Sequence, residues 1–428
     1  MTRGNAQLAG LLQNGRFHRW PLLVFLLILF ILSPNAAQPA AAQDQIQAYW
    51  RHSASRRISH VITHDINRDG VDEFVIAAEN GRVDLLSSIG VLQWSFAAGD
   101  VIQAINVLNL NDDPEEEIAL VSSRQLTILG SGGTLLWSVD LAPITPPQPL
   151  LAFSSSTAGQ EWVSQYNLEV RQIEPFDHDG DGRNELLVLY SNGQLQLFDT
   201  TGKVIWTDTK SSTALQNTRA MMQIADLNGD GQAEIALGFF NPTLRFSQLR
   251  LIDGNQADIW EQPQPISDVI SALITLPFGP DGALYLAASS EGGQIHLIDY
   301  GRQRVWWPRT LNKPITALTA AEYGGEPLLL AGTEVGVVVA YRANGSRLWT
   351  RRLVPEANRP IVALTTAQPA NDENEPLVAV ILGPDEGSNS ANDVLLLGPT
   401  NRLLTTYERV DANGLTSLLD INKDGRYE

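Results

Sequence analysis

Four nine-residue segments of this chain carry oxygen-bearing side chains at the same alternating positions. They read DINRDGVDE at 65–73, DHDGDGRNE at 177–185, DLNGDGQAE at 226–234 and DINKDGRYE at 420–428. Asp or Asn stands at positions one, three and five, Gly at position six and Glu at position nine. A hard cation such as Ca²⁺ takes six to eight oxygen ligands at about 2.3–2.6 Å, and alternate residues of one tight turn can supply them. The spacing therefore predicts loops that bind Ca²⁺.

The remaining positions of the pattern also have a chemical reason. Glycine at position six permits a sharp backbone turn, position seven can present its carbonyl to the ion, and the Glu at position nine completes the ligand shell. In the three internal segments this Glu is followed by Phe74, Leu186 or Ile235, which predicts that each loop ends where a β-strand begins. A helical EF-hand needs an acid at position twelve. That position is apolar in all three segments, which excludes this class.

A fifth segment, NLNDDPEEE at 109–117, keeps part of the pattern. Asn109, Asn111, Asp113 and Glu117 retain positions one, three, five and nine, but Pro114 replaces the glycine and position one is neutral. Weak binding and no binding both stay open for this segment. The corresponding segments of the later repeats, TLPFGPDGA and AAEYGGEPL, have lost most oxygen ligands. We therefore expect the ions to cluster in the first half of the chain and at 420–428.

The elements that must position these loops form an internal repeat. A phrase ending in an aromatic residue recurs at intervals of 43 to 69 residues, with ends at Trp94, Trp137, Trp206, Trp260, Trp306, Trp349 and Tyr407. Short runs of alternating apolar and polar residues between Gly, Asn and Asp are typical of antiparallel strands. Units of about 40–50 residues with four short strands are typical of propeller blades. The sequence predicts an all-β fold, a seven-bladed β-propeller of four-stranded antiparallel blades, with eight blades as the alternative.

Two further features of the repeat carry structural predictions. We expect the recurring tryptophan to pack between neighbouring blades rather than to stack on a ligand. The longest interval contains four prolines between 143 and 149, which predicts a long loop between the second and third repeats. We expect His178, at position two of its acidic segment, to be a solvated turn residue.

Residues 1–42 have the features of an export signal. Arg3, Arg16 and Arg19 precede an unbroken apolar run at 22–32, and three alanines at 40–42 offer a cleavage site before Gln43. The eleven apolar residues fall short of the ~20 that a membrane-spanning helix needs. We predict a signal peptide at 1–42 and a propeller domain at 43–428, in a mature chain that is extracellular, at the cell surface or periplasmic and does not insert into a membrane. Residues 414–428 resemble the first strand and loop of a further repeat, so we expect the domain to be truncated at its C-terminus.

Composition and motifs exclude several classes of function. The chain has 48 acidic and 29 basic residues, and this excess of negative charge argues against nucleic acid as a partner. It has no cysteine, which excludes disulfides, Cys-ligated zinc and thiol catalysis. A Gly-x-Ser-x-Gly elbow, a phosphate-binding loop and a His-Glu-x-x-His motif are all absent from the sequence. We predict that the chain is not an enzyme.

The acidic loop within a repeated blade resembles the FG-GAP (VCBS-type) repeat of the integrin α-subunit β-propeller and of many bacterial surface proteins. The resemblance covers most of 46–428 and implies Ca²⁺ ions in blade loops on one face of a seven- or eight-bladed propeller. The Gly-x-x-x-Trp tails, such as Gly133 to Trp137, also resemble the repeats of pyrroloquinoline-quinone dehydrogenases and of cofactor-free assembly lipoproteins.

Carried over position by position, the resemblance implies a ligand set in each of the four complete loops. In the first two loops these ligands are Asp65, Asn67, Asp69, the Val71 carbonyl and Glu73, then Asp177, Asp179, Asp181, the Arg183 carbonyl and Glu185. In the last two they are Asp226, Asn228, Asp230, the Gln232 carbonyl and Glu234, then Asp420, Asn422, Asp424 and Glu428.

Three functions remain open at this stage. The first is an exported Ca²⁺-binding propeller that acts without catalysis in adhesion or recognition and presents its loops to a protein or carbohydrate ligand. The second is the ectodomain of a longer membrane-anchored sensor or transporter-associated protein. The third is a quinone- or Ca²⁺-dependent propeller enzyme, a lyase or a dehydrogenase. The first is favoured because the repeat runs through the whole chain with no inserted catalytic element, although a fold alone does not fix a function.

Overall fold

The computed structural model describes residues 56–111, 113–141, 169–210, 219–241, 245–260, 264–301, 309–323, 325–354, 358–367, 377–384, 392–398 and 403–410. The predicted signal peptide, most of the predicted long loop and the acidic segment 420–428 lie outside these residues. The ligands Asp420, Asn422, Asp424 and Glu428 therefore stay predictions.

The described strands form seven four-stranded antiparallel sheets, each made of four strands that follow one another in the chain. Sheet 1 contains β1 (Ile58–His64), β2 (Glu73–Ala78), β3 (Arg82–Leu86) and β4 (Leu92–Ala97). Sheet 2 contains β5 (Ile102–Leu108), β6 (Glu117–Ser122), β7 (Gln125–Leu129) and β8 (Leu135–Asp140). Sheet 3 contains β9 (Val170–Phe176), β10 (Glu185–Tyr190), β11 (Leu195–Phe198) and β12 (Val204–Asp208).

The second part of the chain repeats the same order. Sheet 4 contains β13 (Ala220–Ala225), β14 (Glu234–Asn241), β15 (Phe246–Ile252) and β16 (Gln264–Ile266). Sheet 5 contains β17 (Ile270–Leu276), β18 (Tyr285–Ser290), β19 (Gln294–Ile298) and β20 (Arg309–Thr310). Sheet 6 contains β21 (Ile315–Tyr323), β22 (Glu326–Thr333), β23 (Val337–Arg342) and β24 (Arg347–Arg352). Sheet 7 contains β25 (Ile361–Ala367), β26 (Leu377–Leu382), β27 (Asn392–Leu397) and β28 (Leu403–Val410).

The prediction of an all-β fold built from four-stranded antiparallel sheets is thus confirmed. The described ranges contain one short 3₁₀ turn, Pro280–Gly282, and no helix there has the length and apolarity needed to cross a membrane.

The core lies between consecutive sheets. Every residue of β6 and of β10 is buried, because both faces of these strands are covered. One apolar cluster joins Leu126 and Ile128 of sheet 2 to Leu186 and Val188 of sheet 3, and equivalent clusters join the other neighbouring pairs. The fourth strands, such as β4 and β8, alternate between exposed and half-buried residues. A sheet of this kind cannot bury both faces alone, so neighbouring sheets stabilise one another.

The recurring tryptophans within the described ranges pack between sheets, as predicted, and Trp306 lies outside these ranges. The Trp94 ring donates its Nε1–H to the Ser131 carbonyl of sheet 2 at 2.8 Å, and it lies against Gly133, where a Cβ would stand 2.6 Å from the ring. Trp137 lies in the same way against Gly202 of sheet 3. In these two Gly-x-x-x-Trp tails the glycine therefore receives the tryptophan of the preceding sheet.

The repeat is less regular in sheet 4. Trp94, Trp137, Trp206 and Trp349 lie within the fourth strand of their sheets, whereas Trp260 precedes β16. Trp260 nevertheless donates its Nε1–H to the Tyr300 carbonyl of sheet 5 at 3.0 Å. Trp260 thus keeps the contact with the next sheet although it lies outside the fourth strand of its own sheet.

Side chains also tie the first strands of neighbouring sheets to each other. The Gln172 amide donates to the Met222 carbonyl at 3.2 Å and accepts the Met222 N–H at 2.7 Å. Asn106 donates to the Ile173 carbonyl at 2.8 Å and to Glu174 Oε2 at 3.0 Å. Burial raises the pKa of Glu174, and the hydrogen bonds from Asn106 and Gln172 offset part of this rise.

This buried carboxyl gives a prediction for pH dependence. Because the folded-state pKa of Glu174 lies above its ordinary value, its contribution to stability is fully present below the unfolded pKa of about 4.3 and is lost as pH rises through the folded pKa. The Gln of the Glu174→Gln variant does not titrate. As pH falls from 7.5 to about 4, the free energy of unfolding of the wild type should therefore rise relative to that of the variant. Chemical denaturation of both proteins across this range, at saturating Ca²⁺, measures the difference. A difference independent of pH would contradict the prediction.

Candidate metal-binding loops

The acidic segments lie where the sequence places them, between the first and second strands of their sheets. Segment 65–73 connects β1 to β2, segment 177–185 connects β9 to β10 and segment 226–234 connects β13 to β14. The Glu at position nine is the first residue of the second strand in each case: Glu73, Glu185 and Glu234. The prediction that each loop ends at the start of a strand is confirmed.

The carboxylate at position one organises each loop by accepting backbone hydrogen bonds. Asp65 accepts the N–H of Gly70 at 2.8 Å, Asp177 that of Gly182 at 2.9 Å and Asp226 that of Gly231 at 2.9 Å. Each donor is the position-six glycine, and its φ lies between 87° and 88° in all three loops. This left-handed conformation is open to glycine at little cost, which explains why glycine occupies the position.

Positions three and five continue the same arrangement. Asn67 accepts the N–H of Asp69 at 2.8 Å, and Asp69 in turn accepts that of Val71 at 2.8 Å. The position-seven N–H of Arg183 donates to Asp181 at 2.8 Å, and that of Gln232 donates to Asp230 at 2.8 Å. These bonds hold the side chains of positions one, three and five on the inner side of one turn. Coordination by the carbonyls of position seven stays a prediction.

Loop 177–185 brings three carboxylates together. One oxygen from each of Asp177, Asp179 and Asp181 lies within 4.8 Å of the others, with Asp177 half-buried and the other two exposed. Two oxygens that each stand about 2.3–2.6 Å from a single Ca²⁺ can be at most about 5 Å apart, so this spacing is compatible with one ion. The donors are all hard oxygens, and their like charges repel one another when no cation is present. The residues therefore fit Ca²⁺.

The Glu at position nine is buried and braces the base of its loop. Glu73 accepts the Ile66 N–H at 3.1 Å and the Asn67 side-chain amide at 3.1 Å. Glu234 accepts the Leu227 N–H at 2.8 Å and the Asn228 amide at 2.8 Å. If each Glu also binds the ion, as the sequence predicts, it has both roles. The bracing role was not predicted from the sequence.

Electrostatics in these loops favour a cation. Burial raises the pKa of Glu73 and, as a further cause, so do the nearby charges of Asp69 and Asp65. Burial raises the pKa of Glu234 in the same way, with Asp230 and Asp226 adding to it. Each loop thus holds several like charges around one buried carboxyl, and a divalent cation would relieve their repulsion.

His178 is placed differently from the expectation. Its ring Nδ1 lies 2.7 Å from Glu185 Oε2, and 23% of its side chain is exposed. The expectation of a solvated turn residue is therefore wrong, because Glu185 stands at the base of the loop and offers the ring a hydrogen-bond partner. In loops 65–73 and 226–234 the residue at position two is apolar and buried: Ile66 in the first and Leu227 in the second.

A cavity of about 250 Å³ opens between sheets 2 and 3, next to loop 177–185. Its lining includes Asn111, Glu117, Trp137, Arg183 and Thr200. Sequence reasoning did not find this cavity, since its walls come from two repeats and no motif joins them. The cavity lining combines the aromatic ring of Trp137 with a negatively charged side chain, Glu117, and a positively charged one, Arg183.

Between sheets 3 and 4, the residue at position seven packs against the neighbouring sheet. Gln232, at position seven in sheet 4, lies over Gly180 of sheet 3, with its Nε2 3.2 Å from where a Cβ of Gly180 would stand. Its Oε1 lies 3.3 Å from the Cβ position of Gly254. Arg183 occupies position seven in sheet 3 and instead borders a cavity.

Comparison with known proteins agrees with this geometry. Residues 177–237 match the family model described as FG-GAP-like repeat. Among solved structures, the Dos1 propeller superposes with a TM-score of 0.53 at 13% identity, covering 77% of this chain and 76% of that one. BamB from Moraxella catarrhalis gives 0.50 at 17% identity, covering 86% and 92%. BBS1N in complex with ARL6DN gives 0.51 at 14% identity, covering 87% and 100%.

These findings establish the class of fold. The chain is a β-propeller that carries an FG-GAP-like repeat. This confirms the propeller predicted from the internal repeat and the resemblance of the acidic loops to the FG-GAP repeat. Two curated relatives are lambda-carrageenases, from Pseudoalteromonas sp and Pseudoalteromonas carrageenovora. Each is 22% identical over 66% of this chain, and the alignment spans 29% of the carrageenase. The chain therefore matches less than a third of the length of these relatives.

Proposed function

We propose that this chain is an exported, calcium-binding β-propeller with seven blades, corresponding to sheets 1–7, and that it acts as a non-enzymatic binding module. The observation that carries the metal assignment is the group formed by Asp177, Asp179 and Asp181, whose oxygens lie within 4.8 Å of one another. In loops 65–73 and 226–234 the carboxylate at position one accepts the N–H of the position-six glycine in the same way as in loop 177–185. We infer one Ca²⁺ in each of these three loops.

The proposed ions have a structural role. Each loop joins the first strand of its sheet to the buried second strand, so an ion there fixes one end of both strands. Calcium sites of extracellular modules bind at roughly 10⁻⁴–10⁻³ M, which suits an exported protein. Export rests on the arginines and apolar run of residues 1–42. Sequencing of the secreted product should find Gln43 at its N-terminus, and an intact Met1 would contradict cleavage.

We propose a carbohydrate as the ligand, bound in the cavity between sheets 2 and 3. Small ligands are held in concave sites that combine apolar surface with a few polar groups. The indole of Trp137 can pack against a sugar ring, and Asn111, Arg183 and Thr200 can hydrogen-bond its hydroxyls or an anionic substituent. The relatives named lambda-carrageenase point in the same direction, since their name refers to a carbohydrate substrate.

The experiment compares Arg183→Gln with Lys203→Gln for binding of lambda-carrageenan oligosaccharides by calorimetry. Arg183→Gln places at this position the residue that sheet 4 carries and leaves the backbone carbonyl in place. We expect it to weaken binding roughly tenfold, since a hydrogen bond to a charged group contributes about 1.5–3 kcal/mol. Lys203→Gln removes the same charge from an exposed position in sheet 3 and should change the affinity less than about twofold. Equal effects, or no binding by the wild type, would contradict the proposed ligand and site.

The same similarity favours a second function, cleavage of the polysaccharide. Our proposal of a non-enzymatic role rests on the lack of a catalytic motif in the sequence. Incubation with lambda-carrageenan followed by an assay for new chain ends separates the two functions. Binding without new chain ends supports the binding module, and new chain ends would overturn it in favour of an enzyme.

A further inference from the structure

The loop at 109–117, between β5 and β6, keeps most of the backbone frame of the metal-binding loops. The Leu110 N–H donates to the buried Glu117 at 2.8 Å, as position two does in the other loops. The Asp113 N–H donates to Asn111 at 2.6 Å and the Glu115 N–H donates to Asp113 at 2.9 Å. Positions two, three, five, seven and nine thus adopt the arrangement of the complete loops.

Position one differs from this common arrangement. In the complete loops a carboxylate at position one accepts the N–H of the position-six glycine. In loop 109–117 position six is Pro114, which has no N–H to donate. A carboxylate at position one would therefore lose one of the donors that hold it in the other loops.

Asn109 reverses the direction of hydrogen bonding at this position. Its side-chain Nδ2 donates to the Asp113 carbonyl at 3.0 Å and to the Glu115 carbonyl at 3.1 Å. Glu115 stands at position seven, whose carbonyl is the proposed backbone ligand of the ion in the complete loops. The amide therefore satisfies an oxygen that a cation would otherwise take. The two differences in sequence act together. Pro114 removes the N–H that the carboxylate accepts in the complete loops, and Asn109 replaces this carboxylate with an amide that can donate.

We propose that loop 109–117 is held closed without metal. The Asn109 side-chain amide binds the Asp113 and Glu115 carbonyls and so takes the place that the cation has in the complete loops. The loop binds no Ca²⁺ and keeps its structure when the other loops lose theirs. This inference deepens the proposed function and rests on it for the contrast with the complete loops. Asn111 and Glu117 of this loop line the cavity between sheets 2 and 3, so one wall of that cavity stays fixed when Ca²⁺ is scarce. The opposite wall carries Arg183, whose loop depends on the ion.

Hydrogen exchange of the wild-type protein, with excess CaCl₂ and with a chelator, tests this directly. The amides of Leu110, Asp113 and Glu115, which bond within the loop, should exchange at the same rate in both conditions. Those at 65–73, 177–185 and 226–234 should exchange at least about tenfold faster with the chelator. The Glu116 amide is left out because it donates to the Ile66 carbonyl of loop 65–73. Slower exchange of the Leu110, Asp113 and Glu115 amides in CaCl₂ would show that this loop takes up the ion, and would overturn the proposal.

The double variant Asn109→Asp, Pro114→Gly restores both partners of the missing hydrogen bond. We expect it to bind one Ca²⁺ more than the wild type in a calorimetric titration. An unchanged ion count in a folded double variant would overturn the inference that these two residues exclude the metal. Asn109→Asp alone restores the carboxylate but not its donor, and should bind fewer ions than the double variant.

A third variant separates failure of this inference from failure of the proposed function. If none of the loops responds to Ca²⁺, the proposed function fails, and Asn109→Ala still tests the closure. Without metal, this variant should exchange its amides at 113–117 at least about tenfold faster than the wild type, with unchanged exchange in β6. Unchanged exchange at 113–117 would show that the Asn109 amide does not close the loop.

Discussion

Gly133→Ala should lower the free energy of unfolding by about 2–4 kcal/mol. Gly133 has a φ of 75°, a conformation that costs an L-residue roughly 1–2 kcal/mol. A Cβ at this position would stand 2.6 Å from the Trp94 ring, and this ring is held by its hydrogen bond to the Ser131 carbonyl. The new methyl group would therefore push apart two sheets whose packing forms part of the core.

The adjacent glycine provides a matched control. A Cβ on Gly132 would meet nothing within 4 Å, so Gly132→Ala should change the free energy of unfolding by less than about 0.5 kcal/mol. Denaturation by urea at saturating Ca²⁺ measures both variants. Similar values for the two substitutions would contradict the assignment of Gly133 as the receiving surface for Trp94.

Asp177→Ala should remove one bound Ca²⁺ and the stabilisation that this ion provides. Asp177 belongs to the three-carboxylate group and also accepts the N–H groups of Gly180 and Gly182, at 2.8 and 2.9 Å. At a free Ca²⁺ concentration about fifty times Kd, one site stabilises the folded chain by about 2 kcal/mol. The rise in Tm on adding Ca²⁺ should therefore be smaller in the variant by a few degrees.

Glu169→Ala is the control for this substitution, since it removes an acidic side chain that is 55% exposed and lies outside the loop. It should leave both the ion count and the Ca²⁺-dependent rise in Tm unchanged. An unchanged ion count in Asp177→Ala would contradict the assignment of this residue as a ligand. A reduced count in Glu169→Ala would show that overall charge, rather than the loop, determines binding.

The sequence was sufficient to predict the sheets and the position of the loops. Alternation of apolar residues and the recurring turn residues are local signals, so four-stranded antiparallel sheets could be predicted from them. The Gly-x-x-x-Trp tail was also visible, and its packing role was predicted. What the tail could not reveal is that Gly133 receives Trp94 rather than Trp137, because that pairing depends on how two successive repeats are stacked.

The details of the candidate site depended on three-dimensional contacts. The motif indicated the acidic ligands, but not that Glu73 and Glu234 brace their loops from a buried position. His178 was assigned to solvent because its position in the motif contains no information about Glu185. The buried ion pair between Asp208 and Arg250, at 2.6 Å, joins sheets 3 and 4 across 42 positions of sequence, and no local pattern predicts it.

The reversal at Asn109 shows how a near-match to a motif can mislead. The motif alone leaves weak binding open, since Asn is a common Ca²⁺ ligand and oxygen-bearing residues remain at three further ligand positions, three, five and nine. The direction of the hydrogen bonds from Asn109 to the carbonyls of Asp113 and Glu115 favours a closed loop without metal. Whether the side chain at position one donates or accepts depends on the folded loop and on whether the residue at position six has an N–H to donate.

Calorimetric titration of Ca²⁺ into the chelator-treated protein measures directly whether the acidic loops bind metal. We expect at least three bound ions, one each for loops 65–73, 177–185 and 226–234, with dissociation constants of roughly 10⁻⁴–10⁻³ M. A melting curve of the same samples should show a higher Tm with Ca²⁺ than without it. Absence of binding at millimolar Ca²⁺ would show that these loops are not metal sites and are turns held by their own hydrogen bonds.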